Sequence, residues 1–343
     1  MPKSPPPRNR APTIVDIARM AGVSPATVSR VITGSVPVAA DTAAAVMKAV
    51  QELDYRPNLN AQGLVRGQSM AIGILTQHPA SPYFGELVRG VELGLEGSGY
   101  HAIAASGYWD PEQEREALDL LSGRRVDGIV ILGGTLPDAE LAAAATRSPL
   151  VVVGRSFAGH AAQRLKIDHR GGAAEATRHL LELGHERIAY LAGDLTQSDA
   201  RERLRGYEEA LAKAGIAPDP RLVATGNFEI GAGQAAVESL LDAGVAFTAV
   251  FAANDQLATG AQLGLYRHGL RVPDDISLVG FDDAPSSEFA TPPLTTVRQE
   301  LHEIGITAGE GVLRLLEGQM PRFPVFRTRL IVRETTSAPR GRG

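Results

Sequence analysis

The sequence contains no cysteine, and it has no hydrophobic run long enough to cross a bilayer. The absence of cysteine excludes disulfides, thiolate nucleophiles and zinc sites built on cysteine. A membrane-spanning helix needs about 18 or more apolar residues in succession, so we expect no membrane insertion. Residues 1–12 are basic and rich in proline, but no apolar segment follows them, and we therefore expect no secretory signal and a cytoplasmic protein.

Composition and charge favour a globular protein with a basic head. With 343 residues, of which 44% are hydrophobic and 21% charged, the chain is long enough for about two to three domains. The net charge is −5, yet residues 1–66 carry +4, which leaves −9 for the remainder. A small basic region on an acidic body favours a nucleic-acid partner, with chance asymmetry as the alternative.

The segment TIVDIARMAGVSPATVSRVI, residues 13–32, predicts two short helices joined by a tight turn. Thr13 is a suitable N-cap for the first helix, and Gly22 can end it in the left-handed conformation. Ser24 can cap the second helix with Pro25 at its first position, where a backbone N–H is not needed. This is the spacing of a helix-turn-helix, with a plain helical hairpin as the alternative.

The second helix presents small and polar side chains outward: Pro25, Ala26, Thr27, Ser29 and Arg30. Such residues suit the major groove of DNA, where Arg30 can donate two hydrogen bonds to one guanine. The hydroxyls of Thr27 and Ser29 can reach phosphates or base edges, and the two apolar residues can contact a thymine methyl group. A third helix over about 41–53 would close a small three-helix core.

The same segment, with LDYRPNLNAQGLVRGQSMAIGIL at residues 53–75, resembles the head and hinge of the lactose-repressor family of bacterial transcription regulators. The resemblance extends from Thr13 to about Glu334. It implies a hinge helix within residues 57–69 that orders on the operator and inserts Leu64 into the minor groove. The predicted DNA-binding set accordingly also includes Thr13, Ser24 and Asn58, and a passive linker is the alternative for the hinge.

After residue 70, short apolar strands alternate with amphipathic helices, which predicts doubly wound parallel sheets. MAIGILTQ, HAIAASGY, GIVILGG and LVVVGR are interpreted as buried strands, and the alternation restarts from residue 171. The expected fold is α/β, with a helix-turn-helix head and a two-lobed body like a periplasmic binding protein. The expected divisions are a disordered arm (1–12), the head (13–56), the hinge (57–69), the body (70–335) and a tail (336–343).

A ligand site is expected where the strands of the body end, because ligands of open α/β sheets bind beyond the carboxyl ends of strands. Aromatic rings there suit the apolar face of a sugar, while amide and carboxylate groups suit its hydroxyls. Resemblance points to the same positions, and Arg155 is a possible substitute for an aspartate that some relatives have in place of Gly154. The predicted effector-binding residues are Tyr83, Phe84, Arg155, Arg203, Phe228, Asn254, Asp282 and Gln299. Each taken singly has an alternative as a helix cap or loop residue.

Motifs of catalysis and of cofactor binding are absent or incomplete. GRSFAG lacks the second glycine of a nucleophile elbow, GAGQAA lacks the context of a dinucleotide loop, and the histidines lack paired-ligand spacing. We therefore expect neither an enzyme nor a bound cofactor or metal.

The sequence predicts a DNA-binding transcription regulator, expected to be a repressor, that binds a palindromic operator as a homodimer and responds to a small polar effector, expected to be a sugar. The alternatives are a sugar-binding receptor of a transport system and an α/β sugar-processing enzyme. The tail has no leucine heptads, so we do not expect a tetramer held by a coiled coil.

Overall fold

The computed structural model describes residues 12–33, 36–55, 68–155 and 163–340. Its contacts divide the chain into two compact units that meet in sequence between Ser69 and Met70. Within the described ranges, no helix combines the length and the apolar character needed to cross a membrane.

The described residues of the amino-terminal unit form three helices: α1 (Ile14–Ala21), α2 (Pro25–Thr33) and α3 (Ala40–Glu52). Gly22 ends α1 with a φ of 68°, in the left-handed region that glycine adopts without strain. Ile17, Val28 and Val46, one from each helix, are fully buried and form the centre of the core. The unit therefore has the helix-turn-helix that the sequence predicts.

The described residues of the second unit form two six-stranded sheets. The first sheet contains β1 (Ala71–Thr76), β2 (His101–Ser106), β3 (Gly128–Leu132), β4 (Leu150–Val153), β5 (Gln163–Ile167) and, from the far end of the chain, β11 (Val325–Phe326). Its order is β11-β5-β4-β3-β1-β2, and all of its pairs are parallel.

The second sheet contains β6 (Ile188–Ala192), β7 (Val223–Thr225), β8 (Ala249–Ala252), β9 (Ser277–Asp282), β10 (Thr295–Arg298) and β12 (Arg329–Ile331). Its order is β12-β10-β9-β8-β6-β7. Its strands are parallel except for β12, which pairs antiparallel with β10 at the edge.

Helices cover both faces of each sheet. They are α4 (Pro82–Gly94), α5 (Pro111–Gly123), α6 (Asp138–Arg147), α7 (His169–Glu182), α8 (Ser198–Lys213), α9 (Ile230–Asp242), α10 (Asp255–Arg267) and α11 (Leu301–Leu316). We call the first sheet with α4, α5, α6 and α11 lobe 1, and the second sheet with α7 to α10 lobe 2. In lobe 1, Ile72 and Ile74 of β1 pack under α4 and α11, while Leu75 packs under α5 and α6, as the two-residue period of a strand requires.

The described backbone passes from one lobe to the other three times: between β5 and α7, between β10 and α11, and between β11 and β12. Hydrogen bonds and an ion pair join these crossings. The Asp168 N–H donates to the Phe326 carbonyl at 2.9 Å, and Arg329 lies 3.2 Å from Glu300. The sequence alternation predicts two lobes but does not reveal that the chain returns to lobe 1 through α11.

Glycines allow α11 to pack directly on α4. A Cβ atom on Gly90 would lie 2.5 Å from the His302 carbonyl oxygen, and one on Gly305 would overlap the Leu87 carbonyl. The two helices therefore approach backbone to backbone, which larger residues would prevent.

The structure corrects one strand prediction. HAIAASGY forms β2, but His101, Ile103 and Ala104 are exposed rather than buried. Strand β2 is the last of its sheet and pairs only with β1, so the helices cover it incompletely. Strands β1, β3 and β4 are fully buried, as predicted.

Candidate functional site

Helix α2 collects the predicted DNA-binding side chains of the head. Pro25, Ala26, Ser29 and Arg30 are exposed along it. The Ser24 hydroxyl accepts a hydrogen bond from the Thr27 N–H at 3.1 Å and lies 2.9 Å from the Thr27 hydroxyl. Ser24 thus caps the helix as predicted, and α2 presents one guanidinium among small side chains.

Thr13 has a structural partner within the head. Its N–H and its hydroxyl both donate to the Asp16 carboxylate, at 2.9 and 2.7 Å. This arrangement holds the first turn of α1, where a carboxylate is also favoured by the helix dipole. The predicted Asn58 and Leu64 lie outside the described residues.

A cavity of about 440 Å³ lies between lobe 1 and lobe 2, beyond the carboxyl ends of strands of both sheets. This effector cavity, as we call it from here on, has the size of a small-molecule site. Six of the eight predicted effector-binding residues line it: Tyr83, Phe84, Arg203, Phe228, Asn254 and Asp282.

Lobe 1 contributes an aromatic wall. Tyr83 and Phe84 meet edge to face with ring centroids 5.0 Å apart, and Trp109 lies 6.0 Å from Phe84. The backbone N–H of Trp109 donates to the Oε1 of the buried Gln77 side chain at 2.8 Å. Tyr108 and Trp109 both have positive φ angles, 52° and 59°, a conformation that is strained for aromatic residues. This strained turn places the Trp109 ring in the cavity wall.

Lobe 2 contributes a buried guanidinium. Arg203 of α8 is only 2% exposed, and its Nη1 donates to the Ala253 carbonyl at 2.5 Å. Its guanidinium lies 3.7 Å from the Asp199 carboxylate and 3.6 Å from that of Asp282. It also lies over the Phe281 ring, 4.1 Å from the centroid, where a cation is attracted by the ring face. Arg203 therefore holds several groups of the cavity in place.

Asp282 ends β9 in the floor of the cavity. Its φ of 112° is unusual for a residue with a side chain. Burial raises the pKa of the Asp282 carboxyl above its ordinary value, although the Arg203 guanidinium opposes this shift. The Gln299 Nε2 donates to Asp282 Oδ1 at 2.7 Å. Gln299 thus orients Asp282 from behind and does not line the cavity itself.

Asn254 connects the start of α10 to the backbone of Phe228, whose ring lines the cavity from lobe 2. Its Oδ1 accepts from the Leu257 N–H at 2.8 Å, which caps α10, and its Nδ2 donates to the Phe228 carbonyl at 3.0 Å. The Phe228 ring lies against Gly193, where a Cβ atom would overlap it. The cap and loop roles considered as alternatives are therefore real for Asn254, and they also position Phe228.

His169 lies buried beside the guanidinium, with its Nδ1 3.4 Å from Arg203 Nε. Burial, and secondarily the Arg203 charge, lower the pKa of His169 well below its usual value. A neutral imidazole can accept a hydrogen bond from Arg203, so His169 supports the buried cation. Among the described residues, no group of three or more histidine or acidic side chains is arranged to hold a metal ion.

Arg155 is not among the residues that line the effector cavity. It lines a smaller neighbouring cavity, where it forms an ion pair with Asp138 at 3.0 Å and donates to the Gly134 carbonyl at 3.1 Å. The sequence interpretation missed other lining residues: Trp109, Asp194, Gln197, Asp199 and Glu229. Trp109 follows β2 by three residues, so the rule of strand ends applied to every strand would have found it.

Comparison with known proteins identifies both parts of the chain. Residues 13–58 match the family described as bacterial regulatory proteins, lacI family, and residues 177–336 match a periplasmic binding protein-like domain. The transcriptional regulator GalR of Escherichia coli K12 is 38% identical over 330 residues, 95% of this chain and 96% of GalR. The repressor PurR of Haemophilus influenzae is 36% identical over 294 residues, 85% of this chain and 88% of PurR.

Solved structures agree with these matches. A lac repressor dimer bound to operator and the anti-inducer ONPF has a TM-score of 0.86 at 32% identity, covering 96% of this chain and 100% of that one. A complex of the transcriptional regulator CelR with cellobiose has a TM-score of 0.72 at 34% identity, covering 94% and 99%.

The fold and the matches define a transcription regulator with a helix-turn-helix head and a ligand-binding body like that of periplasmic binding proteins. The chain belongs to the lacI family of bacterial regulatory proteins. Because its relatives are transcription regulators, the expectation that the chain is not an enzyme is confirmed.

Proposed function

We propose that the protein is a cytoplasmic repressor that binds a palindromic operator as a homodimer, and that a sugar in the effector cavity sets its affinity for the operator. The effector cavity is the observation that carries this proposal. It combines aromatic rings from both lobes with an amide, a carboxyl group and a guanidinium that are already held in place. Rings suit the apolar face of a sugar and the polar groups suit its hydroxyls.

The solved relatives support each partner in the proposal. The lac repressor structure is a dimer on its operator, and the CelR structure contains cellobiose. A homodimer is suited to a palindrome because two heads related by a twofold axis read two equal half-sites. In the proposal, α2 enters the major groove, while Asn58 and Leu64 act from the hinge of residues 57–69.

A sugar can control the operator only if it binds the two states of the protein with different affinity. We propose that closure of lobe 1 and lobe 2 around the sugar changes the spacing of the two hinges in the dimer. The direction of control, release or recruitment, follows from which state the sugar prefers.

A screen tests the effector part of the proposal. Thermal unfolding of the full chain is measured with a panel of sugars, since a ligand that binds only the folded state raises the unfolding temperature. Each sugar that raises it is then added to an operator-binding titration on inverted repeats selected from random DNA. We expect at least one sugar to raise the unfolding temperature and to shift operator affinity. A stabilising sugar that leaves operator affinity unchanged contradicts the regulatory role.

Two substitutions separate the head from the cavity. Arg30→Ala is expected to weaken operator binding by about 1 to 3 kcal/mol and to relax the preference at one base pair per half-site. Lys48→Ala, which removes one exposed charge from α3, is the control and should not alter base preference. Equal base preference in Arg30→Ala and the parent argues against α2 as the reading helix.

Asp282→Ala should abolish the sugar response and keep operator binding without sugar.

A further inference from the structure

Carboxyl groups outnumber cations in the described lining of the effector cavity. Asp194, Asp199, Glu229 and Asp282 all line it, and Arg203 is the only arginine or lysine among the described lining residues. Even when Asp282 carries a proton, three carboxylates remain. The electrostatic potential in the cavity is therefore negative, which disfavours an anionic ligand.

The Arg203 guanidinium is already engaged. Its groups contact the Ala253 carbonyl, the Asp199 and Asp282 carboxylates, and the Phe281 ring. An anion that recruited it would compete with the Asp199 carboxylate, which lies 3.7 Å from the guanidinium, for the same positive charge. The guanidinium of the neighbouring small cavity, Arg155, is also paired, with Asp138. Each arginine would have to give up an existing partner in order to bind a phosphate or a carboxylate.

Each lobe places one aromatic ring of the cavity against a glycine. In lobe 1 the Trp109 ring lies against Gly133, where a Cβ atom would be 2.9 Å from the ring. In lobe 2 the Phe228 ring lies against Gly193 in the same way. Gln197 lines the cavity, is 6% exposed, and its Oε1 has no hydrogen-bond partner among the described residues. The site therefore offers rings for a flat apolar face and a vacant acceptor for a hydroxyl.

We propose, on the basis of the sugar-responsive function above, that the effector is a sugar without phosphate or carboxylate groups and that its apolar face packs on Trp109. Trp109 then determines specificity from lobe 1, opposite the polar groups of lobe 2. One added negative charge near these carboxylates is expected to weaken binding roughly 30-fold or more.

The sole tryptophan of the chain reports binding directly, because Trp109 lies in the cavity wall. The full chain is titrated with matched pairs while tryptophan fluorescence is recorded: galactose and galactose 6-phosphate, galactose and galacturonate, cellobiose and cellobiose 6′-phosphate, maltose and maltose 6′-phosphate. Every neutral sugar found by the screen above is added with its phosphorylated counterpart. We expect all ligands that shift the fluorescence below millimolar concentration to be uncharged or cationic.

The outcomes distinguish this inference from the proposed function. If an anionic member binds as tightly as its neutral partner and shifts operator affinity, the effector class proposed here is wrong while the regulatory function stands. If no sugar of either kind binds, both are wrong. A neutral sugar that binds at least 30-fold more tightly than its phosphate supports both.

Charge variants test the cause of the discrimination. The double variant Asp194→Asn with Glu229→Gln removes two carboxylates from the cavity, and we expect the neutral-to-phosphate affinity ratio to fall at least threefold. The control, Glu182→Gln with Asp242→Asn, removes the same charge from exposed positions outside the cavity. Equal ratios in the two double variants overturn the electrostatic explanation.

Substitution of the ring tests its role in packing. Trp109→Ala is expected to weaken binding of the neutral sugar roughly tenfold, and Trp109→Phe to restore part of the loss, measured by calorimetry because the fluorescent reporter is absent. An equal loss in both variants, or no loss in either, contradicts the proposal for Trp109.

Discussion

The two lobes contribute different chemistry to one cavity. Lobe 1 supplies four aromatic residues, Tyr83, Phe84, Tyr108 and Trp109. Lobe 2 supplies the guanidinium, the carboxyl groups and the amide, with a single aromatic ring at Phe228. The polar groups of lobe 2 are joined to one another and to backbone carbonyls before any ligand is present. Apolar contact depends little on direction, whereas hydrogen bonds depend on it strongly. Lobe 2 is thus built to orient a ligand, and lobe 1 to cover it.

Among the changes that test this comparison, removal of the buried Arg203 guanidinium from lobe 2 is expected to have the largest effect. Arg203→Met leaves Asp199 and Asp282 without their shared counter-charge, and we expect a loss of about 3 to 5 kcal/mol in the free energy of unfolding. Arg205→Met, on the same helix but with its side chain 58% exposed, should cost no more than about 1 kcal/mol. Urea unfolding measures both. Equal losses mean that lobe 2 does not depend on its buried ion pairs.

Disruption of the contact between α4 and α11 in lobe 1 is expected to have the second largest effect. Gly305→Ala places a methyl group against the backbone of α4, and we expect a destabilisation of about 1 to 3 kcal/mol. Gly231→Ala in lobe 2 is the matched control, because a Cβ atom there meets nothing within 4 Å. Alanine should be neutral or stabilising at that helical position. Similar unfolding midpoints for the two variants contradict the close approach of α4 and α11.

The buried carboxyl of lobe 2 should make stability depend on pH. Burial raises the folded-state pKa of Asp282, so the folded state binds this proton more tightly than the unfolded state. Its stabilising contribution is present below the ordinary carboxyl pKa and is lost as the pH rises through the raised value of about 8. Relative to Asp282→Asn, the parent should lose stability steadily from pH 5 to pH 8.

The comparison with Asp282→Asn is needed because another group acts in the opposite direction. Burial lowers the pKa of His169, which destabilises the folded state as the pH falls through the ordinary histidine value. Free energies of unfolding at several pH values are measured for the parent, Asp282→Asn and the surface control Asp242→Asn. A constant difference between the parent and Asp282→Asn across this range argues against a raised pKa.

Displacement of the single ring of lobe 2 should have the smallest effect. Gly193→Ala places a methyl group in the volume of the Phe228 ring, and we expect roughly fivefold weaker sugar binding, about 1 kcal/mol. Gly226→Ala, where a Cβ atom meets only the Ala232 methyl group at 3.3 Å, is the control. Calorimetric titration distinguishes them. Equal sugar affinities in Gly193→Ala and Gly226→Ala mean that the position of the Phe228 ring does not matter for binding.

The sequence was informative where local patterns were long. The caps at Thr13, Ser24 and Gly22 and the fully buried runs of β1, β3 and β4 are all present as predicted. These features depend on residues a few positions apart, so their physical cause is visible in the sequence.

Features that depend on distant partners were not predicted. Strands β11 and β12 have two and three residues, too few for a periodic pattern, and their place in the sheets depends on the crossings between lobes. The exposure of β2 follows from its position at a sheet edge, which strand composition does not specify. The ion pair of Arg155 with Asp138, 17 residues away, and its position in the neighbouring cavity likewise have no local signal in the sequence.

The three chain crossings have a mechanical consequence. A single connector would let one lobe rotate about the other in any direction. Here the connectors contact one another through Asp168 with Phe326 and through Glu300 with Arg329, and these contacts oppose twisting and sliding of the lobes. We therefore expect the two lobes to move relative to each other mainly by bending at these connectors. The size and shape of a ligand bound between the lobes then determine the angle at which the lobes close.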